Sequence, residues 1–179
     1  MNKVIINPGH HPIYDSGAVN RNSGLREADV ALDIAKLVKK YLEDAGVRVY
    51  MIQSNSLEAI ADSANNIDAD IFVSIHCNAC ENHNARGTET LVYSHYSEGA
   101  ELAQYIQDQI VENIHTKDRG VKERPGLYVI RHTKMPAALV ETAFIDNDED
   151  ARVLVTHKDD FASCIARGIT DYFTKGKWN

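Results

Sequence analysis

The sequence predicts one α/β domain built on a mixed β-sheet of about six strands, with four or five helices packed around it. Three observations lead to this fold class. The chain has 179 residues, a length that suits a single domain with one good core. Apolar runs of strand length alternate with stretches of helical periodicity. Hydrophobic residues make up 44% and charged residues 25%, as in an ordinary globular protein.

Six segments have the composition of strands. The first is rich in β-branched residues and is ended by Pro8-Gly9. The third is a near-continuous apolar run, typical of a central parallel strand, whereas the fourth alternates and is expected to be half-buried. The predicted strands are KVIIN (3–7), VRVYMI (47–52), IFVSIH (71–76), TETLVY (88–93), LYVIR (127–131) and AALVE (137–141).

Four segments carry apolar residues at helical spacing, at 26–45, 56–66, 98–115 and 158–174. Gly46 is a typical stop after the first of them. The acidic run DNDED (146–150) predicts the solvated start of a further helix. The tail KGKWN (175–179) is expected to be a frayed end, to which a second module could be attached.

Composition and charge exclude several functions. The net charge of −7 argues against nucleic-acid binding and gives no attraction to anionic membranes or to polyanionic wall polymers. No apolar run approaches the roughly 20 residues of a membrane span. The start MNKVIINPGHH is too short for a signal-peptide core. We therefore expect a protein that stays where it is made, leaves without a cleaved leader, or has lost its leader. Three cysteines imply no disulfide framework.

Four residues with metal-binding or acid–base chemistry fall at strand ends or at a helix start. His10 follows the first predicted strand, Glu27 begins the long helix, and His76 and Glu141 end two apolar strands. Functional residues of open α/β sheets gather beyond the carboxyl ends of the strands. Two imidazoles and one carboxylate form a catalytic zinc set with one open position, and a second carboxylate is the general base such a site needs. Spacing alone does not prove that the four converge.

Each of these residues also has a structural interpretation. Glu27 would favour a helix N-terminus through the helix dipole, and a strand-end histidine such as His10 or His76 is often merely polar. Glu141, within VETAFIDN, would be costly to bury unpaired, so an ion pair with Arg131 or Lys134 is the alternative for it. His11 is close enough to the site to contact a substrate. Asn78 and Arg131 are candidates to line a groove.

The motifs NPGH, GLREADVALDIA, DADIFVSIHCNA, RGTET and MPAALVETAFIDNDEDA occur in this order. Together they resemble the zinc-dependent N-acetylmuramoyl-L-alanine amidases of the amidase type 3 branch, from about residue 3 to residue 173. The resemblance implies one catalytic domain over residues 1–179, with a twisted, mixed, six-stranded sheet flanked by about five helices. It also implies one Zn²⁺ held by His10, Glu27 and His76, with Glu141 as the catalytic base.

The implied reaction is hydrolysis of the amide between the lactyl group of N-acetylmuramic acid and L-alanine of the stem peptide. The implied partner is peptidoglycan, with a separate wall-binding module as a further expectation. The implied setting is the bacterial cell wall, in phage lysis, sporulation or wall remodelling, reached by lysis or by a leaderless route. Two alternatives from other classes are a zinc peptidase acting on the stem peptide and a catalytically silent wall-binding module.

Some residues depart from the family pattern or invite other interpretations. His11-Pro12 replaces the usual glycine after the first histidine, Ile60 stands where an arginine is frequent, and Thr142-Ala143-Phe144 follows the catalytic glutamate. The first and third lie near the site and are expected to affect substrate preference. The pair Cys77-x-x-Cys80 is a weak redox or metal signal, and Cys77 and Cys164 are predicted to pack in the core.

Overall fold

A computed structural model describes residues 1–175 as a single α/β unit with one six-stranded sheet. The last four residues of the predicted tail, 176–179, lie outside the described residues. The strands are β1 (Lys3–Pro8), β2 (Arg48–Met51), β3 (Ile71–Asn78), β4 (Thr88–Val92), β5 (Asp118–Glu123) and β6 (Ala137–Phe144).

Helices cover both faces of the sheet. They are α1 (Glu27–Asp44), α2 (Leu57–Asn66), α3 (Glu98–Asn113), α4 (Tyr128–His132), α5 (Asp148–Thr156) and α6 (Lys158–Thr174). No helix within residues 1–175 combines the length and the apolarity needed to cross a membrane.

The sheet is mixed, as predicted. Its strand order is β2-β1-β3-β6-β4-β5. Every neighbouring pair is parallel except β4 and β6, which are antiparallel. Since β1, β3 and β6 are adjacent and parallel, their carboxyl ends meet at one edge of the sheet. This edge carries the candidate site.

Alternating side chains of the strands pack into two apolar clusters, one on each face of the sheet. Ile6 and Val73 belong to the larger cluster, which α1, α3 and α6 cover. Ile5 and Phe72, their neighbours in sequence, belong to the smaller cluster, which α2 and α4 cover. The core therefore sits on both faces, which is why β1 and β3 read as continuous apolar runs.

The predicted strand LYVIR (127–131) is wrong. Tyr128–His132 forms the short helix α4, which buries Val129 and Ile130 in the smaller cluster. The sixth strand is instead β5, with the sequence DRGVKE. It is an edge strand that pairs only with β4, so none of its residues is fully buried and it lacks an apolar signal.

The acidic run DNDED does start a helix, but its predicted solvated character is wrong at Asp146, whose side chain is 7% exposed, and at Asp150. The Asn147 side chain caps α5, and Asp150 is only 2% exposed. One Asp150 oxygen accepts hydrogen bonds from the backbone N–H groups of Gly87 (2.8 Å) and Phe144 (2.9 Å). The other accepts from Arg86 Nε at 3.3 Å. Asp150 therefore ties the end of β6 to the start of β4.

Asp150→Ala is expected to lower the free energy of unfolding by about 2–4 kcal/mol, because it leaves two buried N–H groups without an acceptor. Urea denaturation would measure this. Glu149→Ala, on the exposed neighbour that pairs with Arg86, is the matched control and should cost less than about 1 kcal/mol. Equal stabilities of the two variants would show that the hydrogen bonds Asp150 accepts from Gly87 and Phe144 do not stabilise the fold.

Candidate metal centre and catalytic carboxylate

His10, Glu27 and His76 meet at the carboxyl edge of the sheet. His10 follows β1, Glu27 is the first residue of α1, and His76 lies two residues before the end of β3. Glu27 Oε2 is 3.2 Å from His10 Nε2, and Glu27 Oε1 is 2.9 Å from His76 Nδ1. One potential ligand atom from each residue lies within 4.8 Å of the other two. Within residues 1–175, this is the only group of three such side chains with that geometry.

The Glu27 carboxylate is held in place by backbone hydrogen bonds. Its Oε1 accepts a hydrogen bond from the backbone N–H of Cys77 (3.1 Å) and its Oε2 accepts one from Ala18 (2.9 Å). The residue is 4% exposed. Its place in the first turn of α1 does suit the helix dipole. However, each of its oxygens also faces an imidazole, which a role at the helix terminus alone does not require.

The charges in the cluster are strongly coupled. The hydrogen bond to Glu27 raises the pKa of His10 to about 9; burial opposes this increase, and Asp15 adds to it. Burial would raise the pKa of Glu27, but the hydrogen bonds from His10 and His76 outweigh it and hold that pKa at about 2. The pocket therefore keeps a carboxylate ionised and attracts positive charge.

Asp15 is a site residue that the sequence did not predict. Its Oδ2 lies 2.6 Å from His10 Nδ1, on the far side of the ring from Glu27. The loop that carries it is closed by a bridge between His11 and Asp15. A carboxylate on the second ring nitrogen of a metal-binding histidine fixes its tautomer and orientation. Asp15 therefore leaves His10 Nε2 as the nitrogen that faces the cluster.

Two glycines allow this close packing. A Cβ atom on Gly9 would lie 2.3 Å from the His76 ring. A Cβ on Gly17, whose φ is +62°, would lie 2.6 Å from Glu27 Oε2. His10 itself has a φ of +60°, a conformation that non-glycine residues seldom adopt and that is frequent at functional sites. The backbone around the cluster is thus shaped by the position of its side chains.

Gly9→Ala is expected to displace the His76 ring by roughly 1 Å and to weaken metal binding and activity about tenfold, because ligand orientation controls affinity. Gly126→Ala is the control, since a Cβ there meets nothing within 4 Å. Metal content by atomic absorption and turnover should both fall in the first variant and stay normal in the second. An unaffected Gly9→Ala protein would show that His76 does not need its present position.

Glu141 lies beside His76 in the sheet. The two are Cα partners across β3 and β6, so their side chains project from the same face. Glu141 Oε2 is covered by protein and has no hydrogen-bond partner within residues 1–175. Burial raises the pKa of Glu141 to about 7. An unpartnered carboxylate whose pKa is near neutrality has the properties of a general base.

The alternative ion pairs for Glu141 are wrong. Arg131 lies on α4 and Lys134 precedes β6, and both side chains are exposed. They line a cavity with Pro136 and Ala137 at the start of β6, the end opposite Glu141. Arg131 therefore does not line the candidate site either. Asn78 does lie close to the site, where its Nδ2 donates to Glu89 at 3.0 Å.

Sequence and structure comparisons agree on one family. Residues 4–171 match the N-acetylmuramoyl-L-alanine amidase family (Amidase_3). The chain belongs to this family.

Two curated relatives of this chain come from Bacillus subtilis strain 168. The chain is 40% identical to N-acetylmuramoyl-L-alanine amidase LytC over 178 residues, which cover 95% of this chain and 35% of LytC. It is 30% identical to the germination-specific N-acetylmuramoyl-L-alanine amidase, over 96% of this chain and 80% of that protein. The chain thus spans about a third of LytC and most of the germination-specific protein.

A solved structure has the same fold. N-acetylmuramoyl-L-alanine amidase AmiC2 of Nostoc punctiforme superposes with a TM-score of 0.90 at 35% identity, over 97% of this chain and 98% of that one. The predicted fold class, a single mixed six-stranded sheet flanked by helices, is confirmed.

The departures from the family pattern leave the cluster intact. The His11 ring contacts the Tyr14 ring in a tilted arrangement with centroids 4.8 Å apart, and its Nδ1 accepts from the backbone N–H of Ile13. Thr142 is buried and donates to the backbone oxygen of His76 at 2.9 Å, which joins β6 to β3 at the site. Ile60 packs in the smaller apolar cluster, away from the three metal-binding candidates.

Two of the three cysteines of this chain have packing roles, as predicted. Cys77 and Cys164 are buried in the larger cluster, and Cys80 is partly exposed. All three are free thiols. Burial raises the pKa of Cys77 well above its usual value, so this thiol is held in its neutral form. The Cys77-x-x-Cys80 pair thus contributes no metal ligand to the cluster.

Proposed function

We propose that this chain hydrolyses the amide between N-acetylmuramic acid and L-alanine of peptidoglycan with one Zn²⁺ held by His10, Glu27 and His76. In this proposal Glu141 is the catalytic base. The observation that carries it is the convergence of three ligand atoms beside a buried, unpartnered carboxylate oxygen on the next strand. Membership of the amidase family supports the substrate.

The donor set fits zinc. Two imidazole nitrogens and one carboxylate oxygen are the ligands of catalytic zinc sites that keep one position open. Glu27 is held ionised, and Asp15 orients the His10 ring from outside the cluster. When bound, zinc would supply Lewis acidity, which lowers the pKa of water and polarises a carbonyl.

Glu141 would perform the proton transfers. Its carboxylate takes a proton from the water whose oxygen attacks the amide carbon, and it then gives that proton to the leaving nitrogen as the C–N bond breaks. The products are the free lactyl carboxyl group and the free amino group of L-alanine. The location of Glu141 opposite His76 would keep the base next to the metal ligands throughout.

Product analysis tests this function directly. Purified peptidoglycan is incubated with the protein, with and without a chelator, and the newly freed amino group is identified. New N-terminal alanine together with peptide-free glycan is the expected result, and the chelator should abolish it. Release of D-alanine or of an internal stem fragment would support the zinc peptidase. A zinc-loaded protein that cleaves nothing would support the silent wall-binding module.

The wider context is also a proposal. LytC is far longer than this chain, and a separate wall-binding module is one arrangement in which a domain of net charge −7 would reach a polyanionic wall. We expect the domain alone to sediment weakly with purified walls at low salt. Strong sedimentation that high salt abolishes would contradict this expectation.

A further inference from the structure

A cluster of opposite charges lies next to Glu141 and takes no part in the chemistry above. Glu89, on β4, has a side chain only 6% exposed. Its Oε2 accepts hydrogen bonds from Arg119 Nε at 2.6 Å and from Lys122 Nζ. Its Oε1 accepts from Asn78 Nδ2 at 3.0 Å. Both cations come from the edge strand β5, which the sequence did not predict.

The strand register places the Glu89 cluster on the same face of the sheet as His76 and Glu141. His76 pairs with Glu141 across β3 and β6, and Glu141 pairs with Glu89 across β6 and β4. Directly paired residues project from one face of a sheet. His76, Glu141 and Glu89 therefore form a row across three strands. Arg119 and Lys122 contact Glu89 at the end of this row.

The cluster carries more positive charge than Glu89 requires. Burial would raise the pKa of Glu89, but Lys122 and Arg119 outweigh it and lower that pKa, so the group is a carboxylate. One cation would balance it; two leave a net charge of +1 in a chain of net charge −7. Both cations are about a quarter exposed, with side-chain values of 26% and 29%.

Arg119 also keeps donors for a ligand. Its Nε is used on Glu89, and its guanidinium lies over the Phe144 ring at 4.9 Å, which fixes the plane of the group. Its two Nη groups make no hydrogen bond to residues 1–175. A planar guanidinium with free donors matches a carboxylate.

We propose that Arg119 and Lys122 form a subsite for a free carboxylate on the stem peptide, close to the scissile amide. This inference rests on the proposed function. The cations reach the Glu89 carboxylate on β4, one strand spacing of about 4.8 Å from Glu141. An extended peptide advances roughly 3.3–3.6 Å per residue. When the scissile amide lies beside Glu141, a carboxylate on the second stem residue is therefore close enough to reach the two cations. The subsite would prefer a stem peptide whose second residue is D-glutamate over one in which that carboxyl group is amidated.

A matched substrate pair tests the subsite. The γ-methylamides of N-acetylmuramoyl-L-alanyl-D-glutamate and of N-acetylmuramoyl-L-alanyl-D-isoglutamine have no free γ-carboxyl group and differ only in whether the α-carboxyl group is free or amidated. We expect the wild-type protein to have a kcat/KM about tenfold higher for the acid, the size of one charged hydrogen bond. Lys122→Gln and Arg119→Gln should each reduce this preference and act mainly through KM. Lys134→Gln, an exposed cation at the opposite end of β6, is the control and should leave the preference unchanged.

The outcomes separate this inference from the proposed function. If wild type cleaves both compounds equally, or if the two variants lose activity equally on both, the subsite is refuted while the amidase function stands. Thermal melting of each variant identifies a general loss of structure. If the small compounds are poor substrates, walls with free and with amidated D-glutamate give the same comparison. Failure on every substrate would instead overturn the proposed function.

Discussion

Glu141→Gln is expected to reduce amide hydrolysis about 10²–10⁴-fold, the contribution of a positioned general base. Glutamine keeps the shape of the side chain but cannot accept the proton of the attacking water. The metal-binding candidates are three other residues, so metal content should stay near one ion per chain. Single-turnover kinetics on a muropeptide, together with metal analysis, would measure both quantities.

The same variant makes a prediction about stability. In the metal-free protein, burial raises the pKa of Glu141 from 4.5 to about 7. An acid whose pKa is raised by folding lowers the free energy of unfolding when it ionises. This loss of stability is absent below pH 4.5 and fully present above pH 7. It is on the order of 3 kcal/mol at most. Glu141→Gln should therefore be at least as stable as wild type at pH 8, with the advantage vanishing near pH 4.

Loss of activity without loss of stability distinguishes a catalytic carboxylate from a structural one. Glu112→Gln, on an exposed residue of α3, is the control and should change neither quantity. A Glu141→Gln protein with near-normal turnover would remove Glu141 from the role of base. A variant that lost its metal would indicate that Glu141 helps to hold the ion.

The location of the site could be predicted because the carboxyl ends of parallel strands converge. His10 follows β1, and His76 and Glu141 lie in the second halves of β3 and β6, two and three residues before the strands end. These three strands are neighbours in the sheet. Their apolar composition marks them as central strands, so a polar residue at the end of each one stands out. The order of the motifs then indicated the family, whose fold agrees with the α/β pattern predicted from periodicity alone.

The errors lie where the sequence signal is short or where the cause is tertiary. LYVIR is too short for periodicity to distinguish a strand from one turn of helix, and α4 forms because Val129 and Ile130 fill the smaller cluster. The strand β5 is polar because it forms the sheet edge.

Two carboxylates were missed for a different reason. Asp15 and Asp150 sit in polar stretches, and nothing local distinguishes a solvated carboxylate from one that binds a buried partner. Asp15 contacts His10 through a loop closure, and Asp150 bonds Gly87 from 63 positions away. Both contacts depend on the folded backbone and have no periodic signature.

Metal affinity is expected to rise about tenfold per pH unit from pH 6 to about pH 9, because one ligand must lose a proton to bind the metal. The affinity should therefore rise about 100-fold between pH 6 and pH 8. That ligand is His10, whose pKa of about 9 keeps it protonated in the metal-free cluster. Glu27, with a pKa of about 2, is ionised throughout this range and adds no pH dependence. Competition with a chromophoric chelator at fixed pH values would measure the slope.

Asp15→Asn separates this proton competition from a simple loss of structure. Removing the carboxylate from His10 Nδ1 should weaken metal binding about 10–100-fold, the usual size of such an orienting contact. Because Asp15 also raises the pKa of His10, the pH at which affinity stops rising should move downward. Asp62→Asn, exposed on α2, should change neither the affinity nor this pH. A pH-independent affinity in wild type would exclude His10 as the protonated ligand, and an unshifted profile in Asp15→Asn would reduce Asp15 to a structural contact.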